Sequence, residues 1–157
     1  MNIHEIADKM AQNFNIDGLE CQDSTIEIEI DGAFVRIEET DADIFIVSGL
    51  VGDAPSEGDE KFAIIALESN LALMNQKAAA LTRNPNSNAY VLVERIPRSC
   101  AADFESFCES LGKFVDTLIS WRNMLINFIP VQAQANLINA EKQSGSIEAL
   151  RNMFLRV

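Results

Sequence analysis

Residues 25–37 constrain the fold more than any other stretch of the chain. Thr25-Ile26-Glu27-Ile28-Glu29-Ile30-Asp31 alternates apolar and polar residues without a break. Side chains alternate faces along an extended strand, so this pattern turns Ile26, Ile28 and Ile30 inward and leaves the carboxylates in water. Asp31-Gly32 follows, a pair suited to a two-residue hairpin turn. Ala33, Val35 and Ile37 then continue the alternation in a returning strand. A turn at Asp41-Ala42 leads to a third strand over Ile44-Phe45-Ile46-Val47. Three short strands joined by tight turns predict an antiparallel meander.

Helical spacing surrounds the meander. Ile3, Ile6, Met10 and Phe14 make residues 3 to 14 an amphipathic helix ended by Asp17-Gly18. The segment 52–60, GDAPSEGDE, reads as a loop, and residues 60 to 76 as a second helix. Residues 78–82 and 90–96 read as two further strands around the turn formers Arg83-Asn84-Pro85-Asn86-Ser87-Asn88. Phe104, Phe107, Leu111, Phe114, Leu118, Trp121, Leu125 and Phe128 then recur at intervals of three and four, with Asp103 placed as a cap and Pro130 as a boundary. The expected fold is α+β: helix, three-strand antiparallel meander, helix, two-strand hairpin, long helix. Residues 1–130 form that domain, and residues 131–157 read as a helical extension packed on it.

Charge narrows the function classes. Twelve basic against 24 acidic residues give a net charge of −12 over 157 residues. That sign repels phosphate backbones and anionic lipid surfaces, so neither nucleic acid nor membrane is an expected partner. The start of the chain has no apolar core of signal-peptide length, and the longest apolar run, Phe62 to Leu67, is too short to span a bilayer. The expected compartment is the cytoplasm, consistent with three cysteines (Cys21, Cys100, Cys108) that form no Cys-x-x-Cys pair.

Catalytic and metal-binding patterns fail one after another. The single histidine, His4, sits in the first helical turn and reads as a solvated surface residue. It leaves no triad or dyad within the core, no clustered zinc ligands and no glycine-rich phosphate loop. Glu38, Glu39, Asp41 and Asp43 cluster, but the segment Asp41-Ala42-Asp43-Ile44-Phe45-Ile46 breaks the calcium-loop pattern at its fifth and sixth positions. The expectation is a binding protein with no catalytic residue, no metal and no cofactor.

Apolar surplus is the positive signal. The third strand sets Ile44 and Ile46 against Phe45 and Val47, the fifth sets Tyr90 and Leu92 against Val91 and Val93, and Phe34 opposes Val35 and Ile37. A sheet covered on one face should alternate instead. Either the C-terminal helices cover the second face or a partner chain covers part of it. The 60–76 helix is likewise apolar around too much of its circumference to lie on a sheet with its back in water. It is either interior or paired with a second copy. Twofold homodimers being the commonest oligomers, Ile64, Ile65, Leu67, Leu71 and Met74 are the expected dimer interface. The expected client-binding surface is the sheet's outer face with the first helix: Phe34, Phe45, Val47 and Val91, joined by Ile3, Ile6 and Met10.

The order of elements resembles the class I effector chaperones of type III secretion, the family typified by the Tir chaperone. Ala66-Leu67-Glu68-Ser69-Asn70-Leu71 is similar to the family's second helix, and Leu92-Val93-Glu94-Arg95-Ile96-Pro97 to the strand leading into the third. Phe107, Leu111, Phe114, Val115 and Trp121 follow its hydrophobic pattern. Two departures stand out: some 27 residues from Val131 onward, and Asn75-Gln76-Lys77 where a glycine-containing turn is often found. The resemblance implies a cytoplasmic homodimer in bacteria that binds the N-terminal segment of secreted effectors in extended form, in part by strand addition, and presents it to the secretion apparatus and its ATPase. A regulator of the same fold, sequestering an activator or another chaperone, is the alternative. A small enzyme ranks third.

Overall fold

The computed structural model describes residues 1–16, 19–40, 42–56 and 58–128. Helix α1 (Ile3–Phe14) opens the chain. Asn2 and Glu5 form a reciprocal capping box at its start, and Asn15, in the left-handed region, closes it. Strands β1 (Cys21–Gln22), β2 (Thr25–Ile30), β3 (Ala33–Glu39) and β4 (Ile44–Asp53) follow. The two-residue strand β1 and the full length of β4 were not foreseen from sequence. Asp31 and Gly32 both take positive φ between β2 and β3, as a tight hairpin with right-handed strand twist requires.

Helix α2 (Asp59–Lys77) carries the chain to the far edge of the sheet. Ala78 occupies the left-handed region (φ 50°) immediately after α2, where its N–H bonds Leu73 O. The turn that glycine would favour is thus made by an alanine, at a backbone cost of roughly 1–2 kcal/mol. Strands β5 (Ala79–Asn84) and β6 (Ala89–Pro97) form a hairpin. Helix α3 (Phe104–Ile126) completes the described fold, with Asp103 Oδ1 accepting the Ser106 N–H at 2.8 Å.

The six described strands run in the order β1-β2-β3-β4-β6-β5, all neighbours antiparallel. Strand β6 returns beside β4, leaving β5 as one edge. The three described helices join a single core on one face, with Ile26, Ile28, Val35, Ile37, Phe45, Val47, Leu92 and Ile96 turned toward them. Helix α3 lies so close on β4 that a methyl at Gly49 would overlap the Leu118 side chain. Phe62 anchors α2 to this core, edge-to-face with Tyr90 (4.7 Å), Trp121 (5.9 Å) and Phe128 (5.4 Å). The α+β order expected from sequence is the observed one. The expected extension over 131–157 lies outside the described residues. Among those described, no helix is long and apolar enough to cross a membrane.

Candidate functional site

Directly opposed residues of an antiparallel pair share a face, so the register maps the side of the sheet away from the helices. Glu29 opposes Phe34, and Val91 opposes both Leu50 and Thr82. Val35 opposes Gly49, which brings Phe34 alongside Leu50. One row therefore runs Glu29, Phe34, Leu50, Val91, Thr82. The next runs Glu27, Arg36, Ser48, Val93, Ala80, and the third Thr25, Glu38, Ile46, Arg95. Phe34, Leu50 and Val91 thus make an apolar band, with half-buried Ile44, Ile46 and Val93 beside it and carboxylates at the β2 margin. Phe34 and Val91, both expected client contacts, do share this face. Leu50, which bridges them, was missed because β4 extends beyond the Ile44–Val47 run.

Five of the seven residues expected to line the client surface are corrected in position: they lie in the core. Phe45 and Val47 are 0% exposed and face α3, not the open side. Phe45 packs edge-to-face on Phe107 at 5.7 Å. Strand β4 is apolar on both sides, so composition could not say which side is inner. Pairing decides it: Ile37 opposes Val47, which places Val47 on the face of Ile37. Ile3, Ile6 and Met10 are likewise within 1% of complete burial, the stripe of α1 being spent on the core. The Glu39 carboxylate holds the helix start there by accepting the Ile3 N–H at 3.0 Å.

The second apolar surface is the back of α2. Ile64 (49% exposed), Leu67 (72%), Leu71 (70%) and Met74 (63%) recur along one side of the helix. Ile65, placed with them by sequence, instead packs partly buried against the core. On its inner side α2 is fixed to the edge strand β5. Asn70 Nδ2 donates to Leu81 O (2.9 Å) while Asn70 Oδ1 accepts the Leu81 N–H (2.7 Å). A carboxamide presents the donor and acceptor of a peptide unit, so Asn70 takes the place of a strand partner and guards this edge. At the opposite edge β1 pairs only Thr25 and Ile26 of β2, leaving Glu27–Ile30 without a further strand partner among the described residues.

Polar groups near these surfaces hold the framework. The expected acidic cluster does not converge on a cation: Glu39 binds Arg98 and the α1 start, Asp43 also meets Arg98 (3.2 Å), and Asp41 lies outside the described residues. Among the described residues no group of three or more His, Cys, Asp or Glu side chains is arranged to hold a metal ion. His4 is exposed on α1. At the start of α2 the Tyr90 hydroxyl donates to Asp59 Oδ1 (2.6 Å), and Arg83 pairs with Asp59 Oδ2 (2.9 Å). Burial first, and the Asp59 carboxylate second, push the Tyr90 phenol up to about 12. Tyr90 is the chain's one tyrosine, so tyrosinate absorbance reads this group alone. The expected midpoint is near 12, and Asp59→Asn should lower it to a value between 10.0 and 12. Since the folded value stands above the unfolded one, this contact's stabilisation is complete below pH 10 and is lost as pH rises through about 12. An unmoved midpoint in the variant would assign the whole shift to burial.

Comparison with known proteins places this arrangement. No curated protein sequence matches the chain significantly. Among solved structures, a chain of the HopA1–SchA chaperone–effector complex superposes with a TM-score of 0.59 at 17% identity, over 76% of this chain and 91% of that one. A chain of the Yersinia pestis type III secretion chaperone SycH in complex with a YscM2 fragment gives 0.58 at 10% identity, over 76% and 99%. A chain of the ExsC–ExsE complex gives 0.66 at 13% identity, over 80% and 97%. At these identities the likeness concerns the fold. The model of the Tir chaperone protein (CesT) family matches residues 5–122, from α1 almost to the end of α3, and the chain belongs to that family.

Proposed function

We propose that this chain is a type III secretion chaperone that binds the N-terminal segment of secreted effector proteins, keeps it soluble and non-globular, and presents it to the secretion apparatus. Family membership and the chaperone–effector complexes among its structural neighbours support the reading. The observation that carries it is the Phe34–Leu50–Val91 band on the sheet face opposite the one that α1, α2 and α3 cover. A long shallow apolar band suits an extended peptide, which makes many small contacts along its length. The β2 edge at Glu27–Ile30 offers backbone groups for strand addition beside it, whereas Asn70 blocks the β5 edge. The net charge of −12 keeps the loaded complex soluble. The active unit is a homodimer joined through the back of α2, and it works in the bacterial cytoplasm. Its chemistry is passive: binding and release, with no cofactor and no bond made or broken. Handover to the secretion ATPase follows from the same reading.

The test is affinity purification from the native bacterium with mass spectrometry. The expected product is a secreted effector held through its N-terminal segment. Leu50→Asp and Val91→Asp should each reduce its recovery by about tenfold or more, as a desolvated carboxylate opposes burial of the client. Full recovery with both variants would rule out this face. A transcription activator or a second chaperone in place of an effector would establish the regulatory alternative.

A further inference from the structure

Strand β2 runs on past the short strand β1. Its Asp31-Gly32 hairpin closes on Ile30 and Ala33, and at the other end the Glu39 N–H bonds Ser24 O at 2.9 Å. Bonding alternates along an antiparallel pair, so Ile26, Ile28 and Ile30 direct their backbone groups to β3. Glu27 and Glu29 therefore turn their N–H and C=O outward, and among the described residues no strand meets them.

The side chains at this edge are as selective as its backbone. Glu29 is exposed and opposes Phe34, so no cation lies directly across from it. Glu27 is half-buried and opposes Arg36, whose guanidinium lies 3.6 Å from Glu38 instead. Between them Ile28 turns to the other face and belongs to the core. A strand laid along the edge sets one side chain beside each of these three, on the same face as its neighbour. Two of the positions meet a carboxylate, and the one between meets the apolar core. A second copy of β2 does not fit. Paired antiparallel about Ile28, it would set Glu27 of each copy against Glu29 of the other, like charge against like. A segment of opposite charge does fit, and the chain's net charge of −12 attracts it.

We propose that the client segment added to β2 carries a basic–apolar–basic triplet, with lysine or arginine opposite Glu29 and Glu27 and an apolar side chain opposite Ile28. That a client adds at this edge rests on the reading under Proposed function; the triplet is the rule by which the edge selects it. The row beyond Glu29 is Phe34, Leu50 and Val91. The aliphatic stem of a basic side chain opposite Glu29 therefore extends that apolar band to the margin of the sheet, while its charged end meets the carboxylate.

Fluorescence anisotropy on the full-length chain tests the rule with two labelled peptides, Gly-Lys-Val-Lys-Val-Lys-Gly and its counterpart with glutamate for every lysine. The lysine peptide should bind about tenfold more tightly or better. Glu29→Lys should bring the two to within about threefold. Glu105→Lys, the same change of net charge at an exposed position of α3, should leave the preference as it was. Amide exchange locates the added strand. With the lysine peptide bound, the Glu27 and Glu29 N–H groups should exchange about tenfold more slowly, while that of Ile28, already bonded to β3, changes little. Equal affinity for the two peptides would overturn the proposal. So would unprotected Glu27 and Glu29 amides, or a preference that Glu105→Lys weakens as much as Glu29→Lys, which would reduce it to bulk charge. No effector enters this measurement, so its failure leaves the chaperone reading to stand or fall on co-purification.

Discussion

Leu71→Asp is expected to turn a dimer of the 17.4 kDa chain into a folded monomer. Leu71 is 70% exposed and Leu67 72% exposed on one chain, so a carboxylate at either position stays in water when the chain is alone. The change should hardly alter monomer stability, as surface substitutions seldom exceed about 0.5 kcal/mol. In a twofold interface the same carboxylate enters twice, each unpaired and desolvated at a cost of several kcal/mol. A penalty on the order of 6 kcal/mol weakens association by roughly 10⁴-fold. Ile65→Asp gives the control. Ile65 packs against the core, and a charge there should lower the thermal midpoint as well as disturb pairing. Light scattering at micromolar concentration checks both. A wild-type mass of one chain would remove the dimer. An unchanged dimer in Leu71→Asp would move its interface off the back of α2.

The two helices that were easiest to read from sequence differ in how far that reading reached. For α3, the three-four spacing from Phe104 to Phe128 fixed both the element and its buried side, and Phe107, Phe114, Leu118 and Trp121 are core residues as expected. For α2, periodicity showed only that apolar residues exceed one face. The structure divides them. Phe62 and Ala66 face the sheet, while Ile64, Leu67, Leu71 and Met74 face away. Helix α1 shows the opposite limit. Its stripe was legible, but a stripe says that one side is covered and not by what. The Glu39 carboxylate and the Ile26–Ile28 face take it into the chain's own core, through contacts some 20 to 36 positions away along the sequence. The role of Asn70 was hidden for the same reason, because its partner Leu81 is identified only once α2 lies beside β5.

Strand β4 supplies the sharpest physical consequence. Phe45→Ala should destabilise the chain by about 3–5 kcal/mol, the usual cost of emptying a buried aromatic site. The ring is 0% exposed, meets Phe107 edge-to-face at 5.7 Å, and lies 5.6 Å below the Arg98 guanidinium. Domains of this size are stable by about 5–15 kcal/mol, so the loss is a large fraction of the total. Leu50→Ala, on the other face of the same strand, removes a half-buried side chain and should cost about 1 kcal/mol or less. Urea unfolding followed by emission from the single tryptophan, Trp121, measures both, since its indole sits against Phe62 in the same core. The pair separates the two possible parities of β4. With Phe45 inward, Phe45→Ala loses stability and Leu50→Ala, in the proposed client band, loses effector recovery. With the parity reversed, the two effects would change places. A midpoint unmoved by Phe45→Ala would return this ring to the open face and take with it the register that pairs Phe45 with Ile96.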